Sequence, residues 1–179
     1  KPVVLKVFDA INELYFTAII GVKRKELLEN NKLYKSLDGE RILVLAPHVD
    51  DDIIGCGGAI LKYLEKGKKV FIAYVTDSGK RGREGYSREE IKNERKHEAI
   101  KVGQALGLVD ENLFFLNGMD GDLINSNITE ALTQAIEAAK PDTIFLPVLL
   151  DTHADHFGVT DKLCAFYEQY PQMLKGVRL

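Results

Sequence analysis

Cysteine is scarce in this chain. The two present, Cys56 and Cys164 among 179 residues, are far apart and form no CxxC pair. That argues against a disulfide framework and fits a reducing compartment. No apolar run approaches the ~20 residues that a membrane span needs, and no signal-peptide pattern is read at the start, Lys1. An excess of positive charge is also missing: Lys and Arg number 24 against 27 Asp and Glu, for a formal net charge of -3. A nucleic-acid partner usually meets a basic face, so this balance disfavours one. Internal repeats and low-complexity segments are absent. We therefore expect a cytoplasmic protein with no integral membrane segment and no nucleic-acid partner.

What is present is an ordinary globular composition, 45% hydrophobic and 28% charged, at a length that fits one domain with a sizeable core. Residues 3–30 read as helical, with Val7, Phe8, Ile11, Leu14, Tyr15 and Ala18 at mixed three- and four-residue spacing. From residue 41 the chain alternates. Strands are expected at 41–46, 69–75, 112–116 and 143–148. Helices are expected at 52–66, 87–106, 127–140 and 157–170. Ser87 followed by Glu90 forms a capping-box pattern at the start of the second of these helices. This rhythm predicts an α/β protein: a three-layer, Rossmann-like fold with a mostly parallel sheet flanked by helices.

In open α/β sheets, ligands bind outside the carboxyl ends of the strands. That selects the loops at 47–51, 76–86 and 149–156, and two of them carry three of the four histidines. "RILVLAPHVDDDIIGCGGAI" puts His48, Asp50, Asp51 and Asp52 directly after a buried strand. "DTHADHFG" adds His153 and His156. A mononuclear zinc hydrolase uses three protein ligands and keeps one position for water. His48, Asp51 and His156 can supply that set. Asp50 is then available to take a proton from the water, and His153 to stabilise an oxyanion or protonate a leaving group.

Plainer readings compete. An aspartate at a helix start caps it and complements its dipole, and two loop histidines can simply be a surface pair. Three adjacent aspartates exceed what one cap needs, and two clusters at strand ends weaken both alternatives. A dinucleotide fold is disfavoured, since "GCGG" lacks the GxGxxG spacing and the turn is filled with carboxylates. Gly55, Gly57 and Gly58 are expected to permit close packing of helix on sheet. On helix 87–106, Ile91, Arg95, Ala99, Val102 and Leu106 fall on one stripe. Arg95 on such a stripe needs a partner, and Glu98 at i+3 can be one. Asp120 and Asp122 suit hydroxyl contacts and turn formation equally. The Gly-rich, basic loop 77–86 reads as a lid or as a solvated loop.

"APHVDDDIIGCGG" resembles the (A)HPDD(E) signature of LmbE-like, or PIG-L-type, N-acetylglucosaminyl deacetylases. "HADH" resembles their second, HxxH element. "VTDSG", "ERKHEAIKVGQALGL" and "FLNGMDGDL" follow in the family's order, so the resemblance covers roughly 41 to 165. It implies zinc held by His48, Asp51 and His156, with iron(II) suited to the same donors. It implies Asp50 as general base, His153 beside the oxyanion and leaving group, and Arg95 at the substrate. The implied reaction removes acetyl from an N-acetylated amino sugar of the N-acetylglucosamine type. Val49 stands where the family has proline, and Asp52 where it has glutamate. The resemblance further implies one deacetylase domain over 1–179, with an N-terminal helical segment at about 1–38. Its C-terminal part is truncated relative to family members. Rival expectations are hydrolysis of another amide or ester, and a non-catalytic carbohydrate-binding module with a residual metal site.

Overall fold

The computed structural model describes residues 38–80, 85–148 and 151–179. The helical segment expected at 3–30 lies outside the described residues. Among them, the chain runs β1 (Arg41–Ala46), α1 (Asp51–Glu65), β2 (Lys69–Thr76), α2 (Arg88–Ala105), β3 (Leu113–Gly118), α3 (Thr129–Ala139), β4 (Thr143–Phe145) and α4 (Ala154–Gln169). The four strands form one sheet in the order β3-β2-β1-β4. Every pairing is parallel.

The apolar runs explain the layering. β1 and β2 are buried along almost their whole length, as expected for strands covered on both faces. Side chains alternate between two cores. Leu43, Leu45, Phe71, Ala73 and Val75 meet Leu132 and Ile136 of α3 and Leu163 and Phe166 of α4. Ile42, Val44, Ile72 and Tyr74 meet Ile60 and Tyr63 of α1 and Ala99 of α2. The result is the three-layer α/β arrangement.

Several boundaries differ from expectation for physical reasons. β4 ends at Phe145, short of Pro147, which has no N–H for a ladder. α4 begins at Ala154, three residues earlier than expected, because His153 caps it: the His153 ring accepts the Asp155 amide, 3.3 Å away. On α2 the capping box of Ser87 and Glu90 is formed, but the buried face differs. Ile91, Ala99 and Gly103 turn inward, while Val102 is exposed. Gly103 takes the inner position because a Cβ there would sit 2.8 Å from Leu113. Of the glycines of α1, Gly57 is buried, with a Cβ there 3.4 Å from Ile53, but Gly55 and Gly58 do not serve close packing as expected. A Cβ at Gly55 or Gly58 would meet nothing within 4 Å.

Candidate metal and catalytic site

The strand ends converge where the sheet order predicts. The six residues singled out from the sequence, His48, Asp50, Asp51, Arg95, His153 and His156, line one cavity of about 560 Å³. Ser78, Lys80 and Asp120 line it as well.

The three adjacent aspartates have three different environments. Asp50 occupies the N-cap position of α1 but makes no side-chain cap bond. It is exposed, and its φ of 118° is strained for a residue with a Cβ. Asp51 turns back: its Oδ2 accepts the His48 amide at 2.9 Å. Asp52 is buried, which raises its carboxyl above the usual range, and the Tyr74 hydroxyl donated to it at 2.9 Å offsets this only partly. Backbone amides of the helix start bond to Asp52, whereas Asp50 and Asp51 are not used as caps, so capping does not account for all three side chains.

His48 Nδ1 lies 3.1 Å from Asp51 Oδ2, and His156 Nε2 lies 3.3 Å from the same oxygen. One donor atom from each of His48, Asp51 and His156 falls within 4.8 Å of the others. Each imidazole has a carboxylate on its other nitrogen. Asp155 Oδ2 is 3.2 Å from His48 Nε2, and Asp151 Oδ2 is 2.9 Å from His156 Nδ1. Carboxylates placed this way fix the tautomer and the ring orientation of a metal-binding histidine. Burial opposes charge on His48, yet hydrogen bonds with Asp120, Asp51 and Asp155 outweigh it and push its pKa up to about 10. So many carboxylates around one imidazole demand positive charge, which a divalent cation would supply. The donor set, two imidazoles and a carboxylate, fits zinc or iron(II).

His153 is poised differently. Its Nδ1 accepts the Asp155 amide, so the neutral ring carries its hydrogen on Nε2. Its own amide donates to Asp151 Oδ1 at 2.8 Å. Arg95 pairs with Glu98 at 2.8 Å and also lines the cavity, so both readings of it describe its position.

Sequence reasoning missed Asp151 and Asp155. Both sit inside "DTHADH", where the histidines drew the attention. Asp155 is buried, and its two oxygens also accept the amides of Gly121 and Leu123. From sequence, Asp120 suits hydroxyl contact and turn formation equally. Its Oδ1 lies 3.4 Å from His48 Nε2, and its Oδ2 accepts the Lys80 amide at 2.8 Å.

An α/β sheet with such a cluster at its strand ends carries a donor set that could hold a divalent ion beside a cavity. The model of the PIG-L family, GlcNAc-PI de-N-acetylase, matches residues 43–165, and the chain belongs to this family. Among solved structures it is similar to the N,N'-diacetylchitobiose deacetylase of Pyrococcus horikoshii. Identity is 26% and the TM-score 0.64, over 90% of this chain and 61% of that one. A conserved protein of Thermus thermophilus is 29% identical, with a TM-score of 0.58, over 72% of this chain and 55% of that one. The A40926 pseudoaglycone deacetylase shares the fold at 22% identity and a TM-score of 0.60, over 75% of this chain and 61% of that one. The chain thus spans less than two thirds of each of these structures. Among the described residues, no helix is long and apolar enough to cross a membrane.

Proposed function

We propose that the protein is a metal-dependent N-deacetylase acting on an N-acetylated amino sugar of the N-acetylglucosamine type. The observation that carries the reading is the grouping of His48, Asp51 and His156 beside Asp50 and His153 on one cavity. Family membership and the similarity to the N,N'-diacetylchitobiose deacetylase support it.

His48, Asp51 and His156 would hold the ion. When bound, zinc or iron(II) lowers the pKa of water and polarises the amide carbonyl. Asp50, exposed and free of a cap bond, takes a proton from the attacking water. His153, with hydrogen on Nε2, donates to the carbonyl oxygen as negative charge develops. The C–N bond breaks, the amine leaves with a proton, and acetate is released. Arg95 binds the sugar from the cavity wall. Arg95→Ala is expected to lower kcat/KM on a good substrate while metal content holds.

The deciding experiment is acetate release from a panel of N-acetylglucosamine conjugates by metal-quantified protein. Release that requires the metal supports the reading. Turnover of other amides or esters alone would reassign the substrate. Sugar binding without any turnover would leave a carbohydrate-binding module.

A further inference from the structure

A second cavity, of about 310 Å³, opens between the carboxyl ends of β1 and β4. It arises from strand pairing. The two strands are in register from Ile42 with Thr143 to Val44 with Phe145, and no further. β1 continues to Ala46 and meets Pro47, whereas beyond Phe145 the chain of β4 runs to Pro147. Neither proline has an N–H to bridge the gap. The wall is largely apolar, with Ala46, Pro47, Ile54, Cys56, Leu146 and Pro147, and its Asp151 carboxylate is paired with His156. Asp51 and His156 belong to this wall and also to that of the larger cavity, so two of the proposed ligands border both spaces.

An amide substrate has two arms, the amine side and the acyl side. A carbonyl held at Asp51 and His156 has one space for each. The larger cavity offers Lys80, Arg95, Asp120 and His153 to sugar hydroxyls. The apolar crevice offers little to a sugar and suits an alkyl chain. Its volume is also far more than a methyl group needs, being several times the ~30 Å³ share of one water in the liquid. We propose that this crevice is an acyl subsite, and that the protein hydrolyses N-acyl amino sugars whose acyl chains are longer than acetyl. The proposal rests on the N-deacetylase reading above. The chemistry is the same hydrolysis: the C–N bond breaks, water supplies the oxygen of the new C–O bond, and a carboxylate and a protonated amine leave.

Gly55 provides the test. It is exposed on α1 at the crevice wall, and a Cβ there would meet nothing within 4 Å. A Cβ there enters open space, so Gly55→Leu adds bulk at the crevice wall, and leucine favours a helix over glycine. Amine release should be measured for N-acetyl-, N-butyryl- and N-hexanoylglucosamine. With native protein, kcat/KM should rise by roughly two- to fourfold per buried methylene until the crevice is full. Gly55→Leu should lose most of the gain on the hexanoyl substrate and keep acetyl turnover within about twofold, because a methyl occupies little of the space.

A second readout needs no turnover. In Asp50→Asn protein, N-hexanoylglucosamine should slow alkylation of Cys56, which lines the crevice, with exposed Cys164 as internal control. N-acetylglucosamine should not. Turnover of acetyl with rejection of butyryl would overturn the subsite and leave the deacetylase standing. An unchanged chain-length profile in Gly55→Leu, or no protection of Cys56, would also overturn it. No hydrolysis of any member by metal-loaded protein would sink both readings.

Discussion

The amide of Val49 donates to the hydroxyl of Ser78, 2.9 Å away and out of solvent. The bond joins two loops that each hold a strained residue. Ser78 itself has φ 51°, and Asp50, the next residue after Val49, has φ 118°. Conformations of this kind cost about 1–3 kcal/mol each and persist only when their surroundings enforce them. The Ser78 hydroxyl is one enforcing contact, and the Thr76 hydroxyl, donated to the Pro47 carbonyl at 2.8 Å, is another.

Ser78→Ala should therefore do two things. It leaves the buried Val49 amide without its acceptor, at a cost of about 1–3 kcal/mol in stability. It also lets Asp50 relax from the cavity, so kcat should fall while metal content stays near stoichiometric. Melting curves, metal analysis and steady-state kinetics on one preparation check this. A variant with lowered stability and unaltered kcat would show that the contact serves only the fold.

Asp155 has a different task. Its buried carboxylate accepts two amides of the loop after β3 and faces His48 Nε2. Asp155→Asn keeps the volume but replaces one acceptor oxygen with a donor. One of those three donors must then face an NH₂ group. Loss of a carboxylate behind a metal-binding histidine typically costs 10–100-fold in metal affinity. Competition with a chelator of known affinity measures this directly, and an unchanged metal affinity would detach Asp155 from the site.

How much of this was legible follows from what each residue depends on. β1 and its stop could be read because a continuous apolar run and Pro47 are local facts. The capping box at Ser87 and Glu90 is local too. His48, Asp51 and His156 could be gathered because strand ends in an open sheet point to one edge, a rule of topology. Asp155 could not be read, since its partners lie in a loop after β3 and its type is common at helix starts. Val102 misled because hydrophobicity marked the stripe, whereas the inner position went to Gly103, chosen for its lack of a side chain.

Asp142 predicts a pH effect on stability. Its Oδ2 accepts the amides of Glu40 and Arg41 at 2.8 and 3.1 Å, tying the start of β1 to β4. Burial raises its carboxyl, but these amides, the Thr143 hydroxyl and Arg178 outweigh that and hold it below the usual range. A depressed folded pKa stabilises above the unfolded value, ~3.9. That contribution is lost as pH falls through the lower, folded pKa. Asp142→Ala should cost about 1 kcal/mol at pH 7, discounted for solvent exposure. The gap from native protein should close in strong acid. Urea midpoints across the acid range test it, and a gap that widens as pH falls would refute the sign.

Asp50 and Asp51 are adjacent and chemically identical, yet they should fail in different ways. Asp51 Oδ2 sits within reach of both His48 and His156. Asp51→Asn replaces an anion with a weak neutral donor, so metal affinity should drop sharply and added zinc should restore part of the activity. The Asp50 side chain makes no cap bond to its helix and lines the cavity. Asp50→Asn should keep the metal and lose proton acceptance, worth roughly 10²–10⁴-fold in rate for general acid–base catalysis. Added zinc should not rescue it. If both residues merely capped α1, each variant would lose about 0.5–2 kcal/mol of stability at most and bind metal as before. Metal content and turnover on both, with thermal melts as the folding control, separate these cases. Loss of metal in Asp50→Asn with retention in Asp51→Asn would reverse the two roles. Full metal and full turnover in both would remove the catalytic reading of this turn.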